Sequence, residues 1–147
     1  MSRHGYSDDL NDDLALGRWR GMVASSIRGR RGQQFLKELL AALDAMPKKE
    51  LIDGDLERGG EVCALGALAL KRGLDVEFLD TDDWPNVAEH FHIAECLARE
   101  VMFENDEGGR GFGGRGWVIE TPEHRWRRMR VWTFSQIKNE QVTNSKE

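Results

Sequence analysis

The apolar positions of the first half of the chain recur at helical spacing. Four of them lie three or four residues apart, namely Leu16, Trp19, Val23 and Ile27. This pattern predicts a first helix with one narrow apolar face. A longer run with the same spacing comprises Phe35, Leu36, Leu39, Leu40, Leu43 and Met46. It predicts a second helix that Pro47 ends, and Gly29 and Gly32 are expected to separate the two helices.

The middle of the chain predicts a buried helix. Residues 62–70 are apolar on almost every side, which is typical of a helix in the centre of a protein. Gly73 and Leu74 follow as a C-terminal stop, with the glycine in the left-handed conformation. Residues 48–60 form the preceding connection, in which Leu51, Ile52 and Leu56 can make a short turn of helix.

Residues 85–103 predict one continuous helix. Five apolar residues keep the helical period, namely Val87, Phe91, Ala94, Ala98 and Val101. The same positions also fit a helix-turn-helix whose turn would fall at His92. The second helix of that motif would carry three glutamates, which repel phosphates, so DNA readout by this segment is the weaker interpretation.

The last third combines a loop and a final helix. Residues 108–116 contain six glycines in nine positions and predict a mobile loop. Thr121 and Pro122 begin a helix that extends to about Lys138, and residues 139–147 form a polar tail. The whole pattern predicts an all-α protein. We expect residues 1–147 to form a single domain, a small irregular bundle of five or six helices with a Gly-rich loop before the last helix and an ordered core over about residues 10–138.

Composition and charge restrict the function. Apolar residues make up 39% of the 147 residues and charged residues 32%, with a net charge of −5. This balance excludes a protein that coats nucleic acid or anionic membranes by bulk charge, so any basic site must be local. The chain contains two cysteines, and no apolar stretch is long enough to span a membrane. We therefore expect a soluble cytoplasmic protein in a reducing compartment.

A local basic site is present in the last helix, where Arg125, Arg127, Arg128 and Arg130 alternate with aromatic and apolar residues. On a helical wheel the apolar arc contains Trp126, Met129, Trp132, Phe134 and Ile137. Arg127 and Arg128 project away from this arc. Arg130 falls inside it and must pair with a carboxylate, stack on an aromatic ring or reach a partner. Arginine and tryptophan are enriched at binding hot spots, so these four arginines and Trp126 are predicted to bind a partner.

The Gly-rich loop adds three candidate residues. Arg110, Phe112 and Arg115 stand among its glycines, as in segments that bind single-stranded nucleic acid through guanidinium and aromatic stacking. The loop also contains a literal G-x-G-x-x-G. A dinucleotide site needs those glycines between a strand and a helix, however, and here a predicted helix precedes them. The segment is therefore interpreted as a partner-binding loop or a merely disordered one, and its Arg110, Phe112 and Arg115 are assigned to partner binding.

Catalytic and metal-binding patterns are not found in the sequence. His92 and Cys96 lie four residues apart, but no second pair of ligands completes a metal site. Ser25 and Ser26 lack a glycine elbow, and nothing connects a serine or cysteine to a histidine base. We therefore expect a protein without enzymatic activity, cofactor or metal.

Four stretches carry a resemblance: RWRGMVASSIRGRRGQQFLKELLAALDAMP, GEVCALGALALKRGLD, IAECLAREVMFENDE and ETPEHRWRRMRVW. Together they resemble small accessory proteins of bacteriophages and prophages, over roughly residues 15–135. The resemblance implies a protein that binds a host protein or nucleoprotein and thereby inhibits a host defence or regulatory system. The alternative is a nucleic-acid-binding regulator that uses the same arginine and tryptophan residues.

Overall fold

The structure, a computed structural model, describes residues 3–6, 13–77, 79–109 and 120–138. These residues form six helices and one short hairpin, which confirms the all-α prediction. In chain order the elements are α1 (Asp13–Arg28), α2 (Arg30–Ala45), β1 (Glu57–Arg58), β2 (Glu61–Val62), α3 (Ala64–Arg72), α4 (Trp84–Phe91), α5 (Glu95–Glu107) and α6 (Pro122–Gln136). Most of the predicted Gly-rich loop and the whole predicted tail lie outside the described residues.

The first two helices form as predicted, but the break between them is shorter. Gly29 alone separates α1 from α2, and Gly32 belongs to the first turn of α2. The reason for a glycine at position 32 is close packing. A Cβ there would lie 1.8 Å from the carbonyl oxygen of Ser26, so the start of α2 touches the backbone of α1. Gly32 permits a contact between two helices and does not separate them.

The connection after α2 contains a hairpin that the apolar pattern did not predict. Leu51, Ile52 and Leu56 are buried, yet none of them lies in a helix. Instead, Ile52 N donates to the carbonyl of Val62 at 2.9 Å, and β1 pairs antiparallel with β2. The two turn residues are Gly59 and Gly60, with φ of +59° and +86°. A Gly-Gly pair between two strands favours the tight hairpin turn, so this signal was present in the sequence.

The central helix α3 ends as predicted. Gly73 adopts the left-handed conformation, and the N–H of Leu74 donates to the carbonyl of Ala69 at 2.8 Å. Gly73 N donates to the carbonyl of Leu70 at 3.1 Å, which completes the two-bond Schellman arrangement. The start of the helix is later than predicted, because Val62 belongs to β2 and Cys63 caps α3.

The prediction of one continuous helix over residues 85–103 is wrong. His92 adopts a left-handed conformation with φ of 56°, and Ile93 N donates to the carbonyl of Ala88 at 3.1 Å, which ends α4. The chain then turns into α5. This turn lets α4 and α5 pack against each other, so both bury apolar faces that one straight helix would leave apart. Of the residues of α5, Glu95 alone is exposed, so this helix is not available to enter a DNA groove.

The described helices share one hydrophobic core. Its largest fully buried apolar side chains are Phe35, Phe91, Leu36, Leu39, Leu43, Leu51, Leu65, Leu68, Leu97, Met102 and Met129. Helix α2 occupies a central place, because it packs against α1, α3 and α6. This packing decides which side of α6 faces solvent.

Candidate functional site

The predicted binding helix, α6, buries most of the apolar arc that the wheel placed inward, since Met129 is fully buried and Trp126, Trp132 and Ile137 are partly buried against the core. Thr121 caps its start by accepting a hydrogen bond from His124 N at 3.1 Å, as predicted. The buried residues are Arg125, Met129 and Thr133, four positions apart. Phe134, which was placed in the apolar arc, is exposed. The buried arc is therefore rotated toward Arg125, because α2 meets α6 along that line.

Arg125 is buried and serves the fold. Its guanidinium donates to the carbonyl of Leu51 at 2.9 Å and lies 3.4 Å from Glu120 and 3.9 Å from Asp53. The Leu51 carbonyl belongs to the connection after α2, where backbone groups need partners from outside a helix. Arg125 satisfies one of them and is not accessible to a partner.

Arg128 does not project into solvent as predicted. It forms a two-point ion pair with Glu120, at 2.7 and 2.8 Å. The same guanidinium donates to the carbonyls of Glu104 at 2.5 Å and Asn105 at 3.0 Å. Carbonyls in the last turn of a helix lack intrahelical donors, so Arg128 caps the end of α5. Burial would raise the pKa of Glu120, but the bonds from Arg128 and His124 outweigh it and lower that pKa.

Arg130 adopts one of the three arrangements expected for it. It forms a two-point ion pair with Asp44 of α2, at 2.6 and 3.2 Å. The hydrogen bond from Arg130 is the main reason that the pKa of Asp44 is lowered. Nearby, the indole N–H of Trp126 donates to the carbonyl of Leu43 at 3.0 Å, and Lys49 lies 5.3 Å from its ring. Both residues attach α6 to α2.

Arg127 is the member of the cluster that remains available. It is exposed, and no other described residue forms a hydrogen bond or ion pair with it. Val131 and Phe134 follow at four and seven positions and are 66% and 64% exposed. Lys138 is exposed but does not belong to this row, because the chain is extended at Ile137 and Lys138 N donates to the side-chain oxygen of Gln33 in α2 at 2.8 Å. We call Arg127, Val131 and Phe134 the outer face of α6; residues at this spacing lie on one side of a helix.

The three loop candidates, Arg110, Phe112 and Arg115, lie outside the described residues. The described residues on either side of them, Gly109 and Glu120, lie close together, because a Cβ at Gly109 would be 2.7 Å from a carboxylate oxygen of Glu120. The assignment of these loop residues to partner binding therefore stays a prediction.

Sequence reasoning missed a polar and aromatic cluster near the start of the chain. Arg3 and His4 are buried against α5, and Arg99 stacks 3.8 Å from the ring centre of Trp84 and 4.7 Å from that of Trp19. Tyr6 donates to Glu100 at 3.0 Å, and burial followed by the charge of Glu100 raises the pKa of its phenol. The segment has no periodic pattern, so the sequence carried no signal for this packing.

Within the described ranges, no group of three or more His, Cys, Asp or Glu side chains could hold a metal ion. None of the described helices combines the length and the apolar character needed to cross a bilayer. In comparison with known proteins, no family model, curated protein or solved structure matches the chain.

Proposed function

We propose that this is a non-enzymatic binding protein of the host cytosol, and that the outer face of α6 docks a partner protein. The observation that supports the proposal is the exposure of Val131 and Phe134 beside Arg127. The opposite side of α6 already packs on α2, so folding gives no reason for apolar residues on the outer face. Exposed apolar residues grouped with arginine are typical of docking surfaces.

The charges on this face favour a particular kind of partner. Arg127 lies on the same side of the helix as the two apolar side chains, and it is exposed. A partner segment with one or two apolar anchors beside an acidic residue would bury Phe134 and neutralise Arg127. Phe134 would act as the anchor, because buried aromatic side chains contribute most to interface energy.

A protein partner is favoured over nucleic acid. The nucleic-acid alternative requires several cations that point outward. Arg125 and Arg128 have acceptors inside the fold and Arg130 pairs with Asp44 at the surface, which leaves Arg127 as the unpaired cation of the cluster among the described residues. The resemblance to small phage accessory proteins supports a host protein or nucleoprotein as the partner and inhibition of a host system as the outcome.

The test places a photo-crosslinking amino acid at Phe134 and combines it with capture from host lysate, with and without nuclease. We expect one specific crosslinked protein that survives nuclease treatment. The variant Val131→Asp/Phe134→Ser should lose it. The matched control is Met22→Ser/Leu70→Ser, which changes two apolar residues of other helices that are 54% and 59% exposed. Retention of the same partner by both double variants would contradict the assignment to α6, and loss after nuclease would favour the nucleic-acid alternative.

A further inference from the structure

A second surface feature lies on the other side of α2. A cleft of about 430 Å³ opens between α2, the end of α3 and the end of α4. Its floor includes the buried rings of Phe35 and Phe91. Its rim is polar and includes Arg31, Gln34, Arg72, His90 and His92. We call it the α2–α4 cleft, and its volume is within the range of small-molecule sites.

One wall of the cleft is rigid. Arg72 of α3 donates to Glu38 of α2 at 2.9 Å and to the carbonyl of Phe91 in α4 at 3.2 Å. One guanidinium therefore connects the three helices that form the cleft. Glu38 neutralises Arg72, so this pair contributes shape and little net charge.

The other polar groups of the rim are available to a ligand. The side chains of Arg31, Gln34 and His92 have no hydrogen-bond or ion-pair partner in the described part of the chain. His90 Nδ1 bonds to the carbonyl of Asn86 at 2.9 Å. That bond orients the ring and leaves its Nε2 atom for another contact. The rim thus offers a guanidinium, an amide and two imidazoles, all able to donate hydrogen bonds to an anion when the imidazoles are protonated.

The charge at the start of α2 opposes the usual preference of helices. The N-terminal end of a helix carries partial positive charge, and acidic residues are favoured there. The first turn of α2 contains Arg30 and Arg31 and no acid, and Gly29 supplies no side-chain cap. Arg28 belongs instead to the last turn of α1, where a cation is favoured, so the unfavourable charge is that of Arg30 and Arg31. A bound anion would compensate this local excess of positive charge.

The backbone at His92 points to the same surface. Among the described residues, His92 is the one non-glycine residue with positive φ. Glycine adopts this conformation at a helix end with less strain. The turn between α4 and α5 requires this conformation, and it places the His92 side chain on the rim of the cleft.

We propose that the α2–α4 cleft binds the phosphate monoester of a small organic molecule of nucleotide size. Arg31 and His92 would bind the phosphate, and the organic part would lie over the apolar floor. The cleft is bounded by three helices and has a limited volume of about 430 Å³, which favours a small ligand over a continuous nucleic-acid strand. This site is separate from the outer face of α6, so neither proposal depends on the other.

The test is calorimetric titration with adenosine monophosphate, inorganic phosphate and adenosine. We expect adenosine monophosphate to bind most tightly and phosphate weakly. Arg31→Gln should weaken binding of adenosine monophosphate at least tenfold. His92→Asn should also weaken it, since asparagine tolerates the left-handed conformation but carries no imidazole. Arg18→Gln, which changes an exposed arginine of α1, is the control and should bind normally.

Several outcomes would overturn the proposal. The first is that neither adenosine monophosphate nor phosphate binds at millimolar concentration. The second is that Arg31→Gln and Arg18→Gln bind adenosine monophosphate equally well. The third is that adenosine binds as tightly as adenosine monophosphate. If a single-stranded oligonucleotide binds far more tightly than adenosine monophosphate and its binding depends on Arg31, the ligand of the cleft is a nucleic-acid strand and not a small molecule. Circular dichroism and thermal unfolding of each variant establish that the fold is retained in every comparison.

Discussion

Arg3 and Asp106 are separated by 103 positions in the chain and form a two-point ion pair of 2.8 and 2.9 Å. Their side chains are only 3% and 10% exposed. Asp106 also accepts from Asn105 at 2.9 Å and from the backbone N–H of Gly54 at 3.2 Å. The pair therefore attaches the start of the chain to the end of α5 and to the connection after α2.

Removing one member of this pair should destabilise the protein strongly. Arg3→Met leaves the Asp106 carboxylate buried without its cation, and such changes cost about 3–5 kcal/mol. The control is Arg58→Met. Arg58 pairs with Asp55 at 2.9 Å, but these side chains are 59% and 53% exposed, and exposed pairs contribute about 0–1 kcal/mol. Urea unfolding measures both variants, and an equal small loss would mean that residues 3–6 do not hold α5 in place.

Glu104 should make stability depend on pH in the direction opposite to most carboxylates. Burial, followed by the charge of Glu100, raises the pKa of Glu104 above its ordinary value. The folded state therefore binds a proton at Glu104 more readily than the unfolded state does. Near neutral pH the ionised carboxylate destabilises the fold, and this cost disappears as the pH falls through the folded pKa to below the unfolded one.

Glu104→Gln should accordingly raise the free energy of unfolding at pH 7, and the gain should shrink as the pH approaches 4. Glu95→Gln, an exposed position of the same helix, should change stability little at either pH. Denaturant unfolding of both variants across this pH range measures the difference. A constant effect of Glu104→Gln at all pH values would contradict the role of ionisation.

Gly32 and Gly21 should respond in opposite ways to alanine. A Cβ at position 32 would meet the Ser26 carbonyl at 1.8 Å, so Gly32→Ala forces α1 and α2 apart. Overpacking of this kind costs about 1–3 kcal/mol. At Gly21 of α1 nothing lies within 4 Å, so Gly21→Ala should stabilise the helix by about 1 kcal/mol. Thermal unfolding compares the two, and a loss of stability in both would contradict the open environment of Gly21.

The helices that were predicted correctly are those whose signals are local. Phe35, Leu39 and Leu43 recur at helical spacing before Pro47, and α2 ends near that proline. Gly73 and Leu74 end α3 as expected. The break at His92 was missed because the apolar spacing of residues 87–101 is the same for one helix or two. Only the packing of α4 against α5 distinguishes the two arrangements.

The candidate site was predicted less well than the fold. The sequence correctly identified Arg127 as outward-facing, but it also assigned Arg125 and Arg128 to the binding surface. Their acceptors, the Leu51 carbonyl and the end of α5, are distant in the chain. The α2–α4 cleft was not predicted either, because its rim combines residues from three separate helices.

The sequence by itself determined where most helices form, since periodicity, proline and capping residues act over a few neighbouring positions. Tertiary structure decided which charged residues pair with acceptors inside the fold and which face solvent. A guanidinium can pair with any acceptor that the packing brings within about 3 Å. Arg3, Arg125 and Arg128 find such acceptors far along the chain, whereas Arg31 and Arg127 find none among the described residues. That difference comes from the way α2, α5 and α6 pack, and no local pattern records it.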